Sequence, residues 1–340
     1  MAEKHTILLT GGAGYIGSHT FVALVEAGYR VVIVDDFSNS KPSVVERLAR
    51  LTGLNTVDAY EGSILDRALL TRIFEEHKID AVVHFAAKKA VGESAEKPLE
   101  YFEVNCTGLL NLLRSMEAHE VRRLVFSSSA TVYGEPDILP ITEDAPRSYT
   151  NPYGFTKLMG EQILEQAAAA DPSWAFGVLR YFNPVGAHPS GLIGEDPSDI
   201  PNNLMPYIAK VAIGELPHLN VFGDDYATPD GTGVRDYIHV CDLAEGHVKS
   251  LDALLATGAH HTVNLGTGSG LSVLEMLDAY GRACGSELPY QIAPRRAGDV
   301  AACYADATRA REVLGFQATR DLDDMCASSW HWINTGAQEA

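Results

Sequence analysis

Tyr153 and Lys157 stand four residues apart in the run Asn151-Pro-Tyr-Gly-Phe-Thr-Lys157. On a helix that spacing puts both side chains on one face, so an ammonium lies in the neighbourhood of a phenol. A free tyrosine titrates near ~10, and bringing it to about neutral takes roughly 4 kcal/mol of preference for the phenolate. A nearby lysine cation and the positive ring of an oxidised nicotinamide are charges of the kind that supply it. The pair therefore reads as a proton acceptor working beside NAD hydride chemistry. A tyrosine and a lysine at this spacing also occur as an ordinary helical surface pair. What sets these two apart is their position downstream of Gly11-Gly-Ala-Gly14-Tyr-Ile-Gly17 and of the serine run Ser127-Ser-Ser129.

The three spaced glycines, Gly11, Gly14 and Gly17, fall between a β-branched strand and an amphipathic helix. In that context they allow a tight turn and let the backbone approach a pyrophosphate at the positive end of the helix. Asp35 closes the next strand, eighteen residues past Gly17, where a carboxylate can accept from the adenosine ribose hydroxyls. The same charge would repel a ribose phosphate, so NAD is expected over NADP. The serines follow a short strand, Leu124-Val-Phe126, and so emerge at its carboxyl end, where open α/β sheets place their ligands. A hydroxyl there can donate to a sugar oxygen while Tyr153 takes or returns the proton; a serine there can also simply cap a helix.

These groups need a scaffold, and the first half of the chain spells one out. Residues 6–10, 30–34, 81–85 and 124–126 are short, β-branched, apolar runs that read as buried strands. Amphipathic stretches at 17–27, 66–77, 98–119 and 151–170 alternate with them. Such alternation implies a Rossmann-type, doubly wound parallel sheet. After Phe182 the texture changes to turn-rich segments such as 183–191 and 223–231. The chain is therefore divided at this point into an NAD-binding domain, 1–182, and a smaller C-terminal substrate-binding α/β domain, 183–340. A strand near 261–266 is expected to return to the main sheet.

Composition excludes several classes of function. The 340 residues carry a net charge of −19, which makes nucleic acid an improbable partner. No apolar run is long enough to cross a bilayer, so no membrane association is expected. The five cysteines are odd in number and scattered, without metal-ligand spacing, which fits a reducing cytoplasm and no metal site.

Several longer stretches carry a family resemblance over nearly the full length. They are residues 10–20, 89–94, 126–134, 180–191, 201–206 and 230–239, and then Arg295-Arg296 with Asp299. In these the chain resembles the extended short-chain dehydrogenase/reductases and, among them, the UDP-glucose 4-epimerase family. The resemblance implies that Tyr153 removes the proton from the sugar 4-hydroxyl while C4 passes a hydride to NAD. The 4-keto sugar then turns over in the site and regains the hydride on its other face. Ser129 matches the family's catalytic hydroxyl and Lys157 its lysine. NAD, regenerated at every turnover, would stay tightly bound. Tyr15, Ile16, Asp35, Asn39, Ser40, Ser63, Ile64, Phe85, Lys89 and Phe182 would line it together with Gly11, Gly14, Gly17, Tyr153 and Lys157. Ser129, Tyr153, Asn183, Asn202, Asn203, Leu204, Phe222, Arg235, Arg296, Asp299 and Cys303 would hold the UDP-sugar. The two arginines make physical sense against a diphosphate, being permanently charged and able to bind in bidentate fashion. A homodimer is also implied, through helices such as 98–119 and 151–170.

The chain departs from the family pattern at a few places. Ser63 stands where the family usually has Asp against the adenine, Ala87-Lys88 replaces a common Gly-Leu pair, and Val104 falls where Asn is frequent. Cys303 aligns with a position that is a bulky tyrosine in some members and small in others. A small side chain there leaves room beside the sugar's 2-substituent, so interconversion of UDP-GlcNAc and UDP-GalNAc is expected as well. A 4,6-dehydratase on the same scaffold would carry Asp-Glu after the serine; this chain has Ala130-Thr131, which leaves elimination without its acid. A dehydrogenase that releases its product, or a catalytically silent binder, would not account for the UDP-sugar residues and the retained Ser129, Tyr153 and Lys157 together.

Overall fold

The computed structural model describes residues 5–196, 203–296 and 299–335. The first half winds β1 (Thr6–Thr10), α1 (Tyr15–Glu26), β2 (Arg30–Asp35), α2 (Ser43–Thr52), β3 (Asp58–Glu61), α3 (Arg67–Glu76) and β4 (Ala81–His84). It continues through α4 (Val91–Glu96), α5 (Pro98–Phe102), α6 (Gly108–Ala118), β5 (Arg123–Ser129), α7 (Pro152–Ala170) and β6 (Ala175–Tyr181). The second half holds β7 (Asn183–Val185), α8 (Leu204–Ala212), β8 (Leu219–Phe222), β9 (Val234–His239), α9 (Val240–Thr257) and β10 (His261–Leu265). It closes with β11 (Gly270–Ser272), α10 (Val273–Cys284), β12 (Tyr290–Ala293), β13 (Ala302–Cys303), α11 (Thr308–Leu314) and α12 (Leu322–Asn334).

Seven strands form one sheet in the order β10-β6-β5-β4-β1-β2-β3. Every neighbouring pair is parallel. Strands such as β1 and β6 are buried along their whole length, because helices cover both faces and leave no polar side. The order reverses between β1 and β4, the crevice where such sheets bind ligands. A second sheet, β11-β9-β13 with β7 also on β9, abuts the carboxyl end of β6, since only Phe182 separates β6 from β7. Its β9 sets Tyr237 beside Asn183 of β7 and Arg235 beside Cys303 of β13.

Local differences from the sequence reading have physical causes. β3 was not foreseen: its Asp-Ala-Tyr-Glu run alternates half-buried with exposed residues, as an edge strand does, and carries no apolar signal. β5 runs on through the serines because Ser127, Ser128 and Ser129 pair with Leu179, Arg180 and Tyr181 of β6. The helix expected over 98–119 is interrupted by a π-turn, Glu103–Thr107. There Asn105, on the inner side, accepts from Lys88 N at 2.8 Å and donates to Lys88 O at 3.0 Å and Thr156 Oγ1 at 2.9 Å. That insertion ties the loop after β4 to α7.

Candidate active site

The glycine turn closes on itself so tightly that side chains are excluded. Gly11 has φ of 70°, and a Cβ on it would lie 2.7 Å from Ala86 N. A Cβ on Gly17 would lie 2.2 Å from Gly11 O. Gly14 is the N-cap of α1 and offers no side chain to its first-turn amides, which are left for an anion at the positive end of the helix. One cleft is lined by these glycines, Tyr15, Ile16, Asp35, Asn39, Ser40, Ser63, Ile64, Phe85, Lys89, Tyr153 and Lys157. Phe182, also expected around NAD, directly follows Tyr181 of β6, which lines the cleft. It is buried in a small cluster with Val132, Tyr133, Ile141 and Leu158.

Asp35 is preset at the end of β2. Its Oδ1 accepts from Phe37 N and Ser40 Oγ, and its Oδ2 from Ala13 N, each at 2.9 Å. Burial pushes the carboxyl up from its ordinary range, opposed by those donors. A carboxylate offers about four acceptor sites, so about one remains for a ribose hydroxyl. A cradle that a single Cβ would fill and a carboxylate with one acceptor left fit an NAD dinucleotide. Ser63 Oγ accepts from Leu65 N at 3.3 Å, which leaves its O–H free to donate.

The proton-handling groups meet where β5 and α7 converge. Asn151 caps α7 by accepting from Gly154 N at 2.9 Å, and Pro152 starts the helix with its φ already set. Lys157, buried, donates to Ser127 O at 2.7 Å and Ser127 Oγ at 3.3 Å, and its ammonium lies 6.0 Å from the centre of the Tyr153 ring. Burial pulls this lysine down to about 8, the nearby Cys106 thiol opposing. Ser129 Oγ accepts from Thr131 N at 3.2 Å, which leaves its O–H free to donate toward the Tyr153 side chain. Burial raises the Tyr153 phenol above its usual value; the Ser129 bond opposes that. In Ser129 the oxygen thus serves the turn while the O–H stays free toward the phenol.

Behind them a buried network holds the register. Glu161, one turn beyond Lys157, accepts from Arg180 Nε at 2.9 Å and Nη2 at 2.7 Å, and from Ser128 Oγ at 2.5 Å. One carboxylate thereby ties α7 to β5 and β6.

The residues expected to hold the UDP-sugar continue outward from Ser129. Cys303, half-buried, packs on the cluster that contains Phe182 and Val132. Its neighbour across the sheet is Arg235. Asp299 lies 3.9 Å from Arg235 Nη2 and accepts from Arg296 Nε at 3.0 Å. The Arg296 guanidinium rests on Phe222, 4.6 Å from the ring centre. Asn203 is the N-cap residue of α8, beside Leu204, and donates to Glu195 Oε1 at 2.7 Å. Asn183 opens β7. Asn202 lies outside the described residues.

Residues that the sequence reading did not single out join them: Ser127, Tyr181, Asn105, Glu195 and Trp332. Ser127 was open to inference, since strand periodicity puts it on the same face as Ser129. Nothing local announces the other four, whose roles arise from segments remote in the chain. Among the described residues no cluster of three or more His, Cys, Asp or Glu could hold a metal ion, and no helix is long and apolar enough to cross a membrane.

Comparison with known proteins matches this geometry. A family model described as GDP-mannose 4,6 dehydratase spans residues 8–329. The chain is 56% identical to a UDP-glucose 4-epimerase of Bacillus subtilis, over 96% of each protein. A crystal structure of UDP-glucose 4-epimerase from Bifidobacterium longum, in complex with NAD+ and UDP, superposes with a TM-score of 0.92 at 54% identity, covering 98% of this chain and 99% of that one. Another, from Stenotrophomonas maltophila with NAD and formylated UDP-arabinopyranose, gives a TM-score of 0.96 at 51% identity, covering 99% of this chain and 100% of that one. The dehydratase name of the family model marks the shared scaffold: after Ser129 this chain has Ala130 and then Thr131, whose hydroxyl is buried without a partner, and no acid. With epimerases of this identity matching end to end, the chain belongs to the UDP-glucose 4-epimerase family of the extended short-chain dehydrogenase/reductases.

Proposed function

We propose that this chain interconverts UDP-galactose and UDP-glucose through a 4-keto intermediate. The observation that carries the reading is the meeting of Ser129, Tyr153 and Lys157 at the inner end of the glycine cleft, with Arg235, Asp299 and Arg296 leading away from it past Cys303. NAD bound in the cleft supplies the acceptor, and then the donor, of the C4 hydride. Tyr153 takes the 4-hydroxyl proton and returns it; Ser129 donates to the phenol oxygen and steadies the sugar oxygen beside it. Lys157 adds positive charge from below. At ~6 Å and an effective dielectric of about 20 that charge favours a phenolate by roughly 3 kcal/mol. This is less than neutral operation needs, so the Ser129 bond and the nicotinamide cation make up the difference. Two arginines around the single carboxylate of Asp299 leave net positive charge, which suits a diphosphate. On this reading residues 1–182 serve the cofactor and 183–340 mainly the sugar nucleotide.

The half-buried Cys303 thiol, small beside Arg235, suits a 2-acetamido group, and we extend the substrate range to UDP-GlcNAc and UDP-GalNAc. Exposed apolar residues on and beside the helices at 98–118 and 152–170, with Leu99 80% and Tyr149 51% exposed, suit pairing of two chains. The cysteines are all free, which suits the cytoplasm.

The test is incubation of the purified protein with UDP-galactose and no added cofactor, following UDP-glucose by chromatography. Conversion supports the reading, with a retained NAD. No conversion, even after NAD is added, overturns it.

A further inference from the structure

The cofactor cleft has a wall from the second half of the chain. Ile193, Gly194, Glu195, Asp196 and Trp332 line it opposite the glycine turn. This wall is fastened to itself and then to the first half. Trp332, buried, lies so close on Gly194 that a Cβ there would come within 2.5 Å of the indole, and its Nε1 donates to Glu195 O at 3.3 Å. Across the cleft, Lys89 Nζ stands 3.7 Å from Glu195 Oε1, and Lys41 Nζ stands 2.8 Å from Asp196 Oδ2. Nearer the base of the cleft, Tyr15 donates to Gly186 O at 2.7 Å.

From this arrangement we infer that Glu195 and Asp196 are cofactor-retaining residues. Their ion pairs with Lys89 and Lys41 clasp the 193–196 segment over the cleft, and the clasp must open for the cofactor to leave. The inference rests on the reading of the cleft as an NAD site. It supplies a physical reason for retention: leaving requires two rim ion pairs to part together, where an open groove would require none. Glu195 also accepts from Asn203, so the same carboxylate touches a residue on the sugar side and one on the cofactor side. Rim pairs of this exposure are individually weak and are screened by salt. The clasp should therefore set the rate of escape more than the geometry of the site.

The experiment measures bound NAD, released by acid and assayed enzymatically, after timed gel filtration of the whole protein. It compares the wild type, Asp196→Lys, which sets two cations face to face, and the swap Lys41→Asp with Asp196→Lys. The wild type should retain NAD, Asp196→Lys should lose it about tenfold faster, and the swap should recover most of the retention. Raising salt from about 0.05 M to about 0.5 M should speed loss from the wild type and change Asp196→Lys little. Equal loss rates for all three proteins at both salts would overturn the clasp while leaving the NAD site standing. A wild type that neither carries NAD nor takes it up would overturn both.

Discussion

The Lys157 ammonium is bonded to the Ser127 carbonyl oxygen at 2.7 Å, on the strand that also carries Ser129. A cation is thereby buried next to a tyrosine ring, and burial holds it at about 8, below the 10.5 of a free lysine. The native state therefore binds this proton less readily than the unfolded chain. Its burial costs stability in full below pH 8, and the cost fades as pH rises from 8 towards 10.5. Lys157→Met should remove this pH dependence. Its stability relative to the wild type should be greatest below pH 8 and decline as pH rises through the window, whatever the lost bonds to Ser127 subtract at every pH. It should also lower turnover by about a hundredfold or more. Denaturant melts of both proteins at several pH values, with a turnover assay, check this. A constant stability difference across the window would refute it.

Tyr153→Phe removes the proton acceptor we propose while leaving the cleft intact. Turnover should fall by about a thousandfold or more with NAD still bound. Ser129→Ala removes the hydrogen bond that opposes the upward push of burial on the phenol. The rising limb of the pH–rate profile, where the phenol must give up its proton, should then move to higher pH. Turnover at neutral pH should drop by about ten- to a hundredfold. A Ser129→Ala profile that is lower yet unshifted would assign the serine to the sugar alone.

Gly17→Ala places a methyl 2.2 Å from Gly11 O and 2.9 Å from Gly12 Cα, both backbone atoms that cannot swing aside. The turn must open, so bound NAD should be largely lost and the melting temperature should fall by several degrees. Cofactor content and a thermal scan measure the two effects separately. Retained NAD with an unchanged melting temperature would contradict the packing described.

Cys303→Tyr adds a phenol beside Arg235, where we propose that the sugar's 2-substituent sits. The ratio of N-acetyl to plain-sugar turnover should fall by about tenfold or more, a steric discrimination of a little over 1 kcal/mol. Parallel assays with UDP-GalNAc and UDP-galactose give the ratio. A ratio that stays put would mean that Cys303 does not gate substrate choice.

Much of this protein is local in its sequence. The wholly buried strands β1, β4 and β6, the glycine spacing, and the phenol and ammonium one turn apart each depend on residues within a few positions of one another. Backbone sterics and side-chain periodicity act at that range, so the parallel sheet and the core of the site were legible before any contact was known. The edge strand β3 and the π-turn at Glu103–Thr107 were not, because pairing to β2 and the Asn105 bonds to Lys88 and Thr156 override weak local preferences. Family resemblance named Phe182 for the cofactor; the structure adds that it belongs to the cluster against which Cys303 packs. Tertiary structure alone decided which oxygen receives the Lys157 proton, that one buried carboxylate, Glu161, joins three elements, and that Glu195 and Asp196 reach the lysines across the cleft. Those are contacts between segments far apart in the chain. Their geometry follows from how whole elements pack, and no single stretch of sequence contains it.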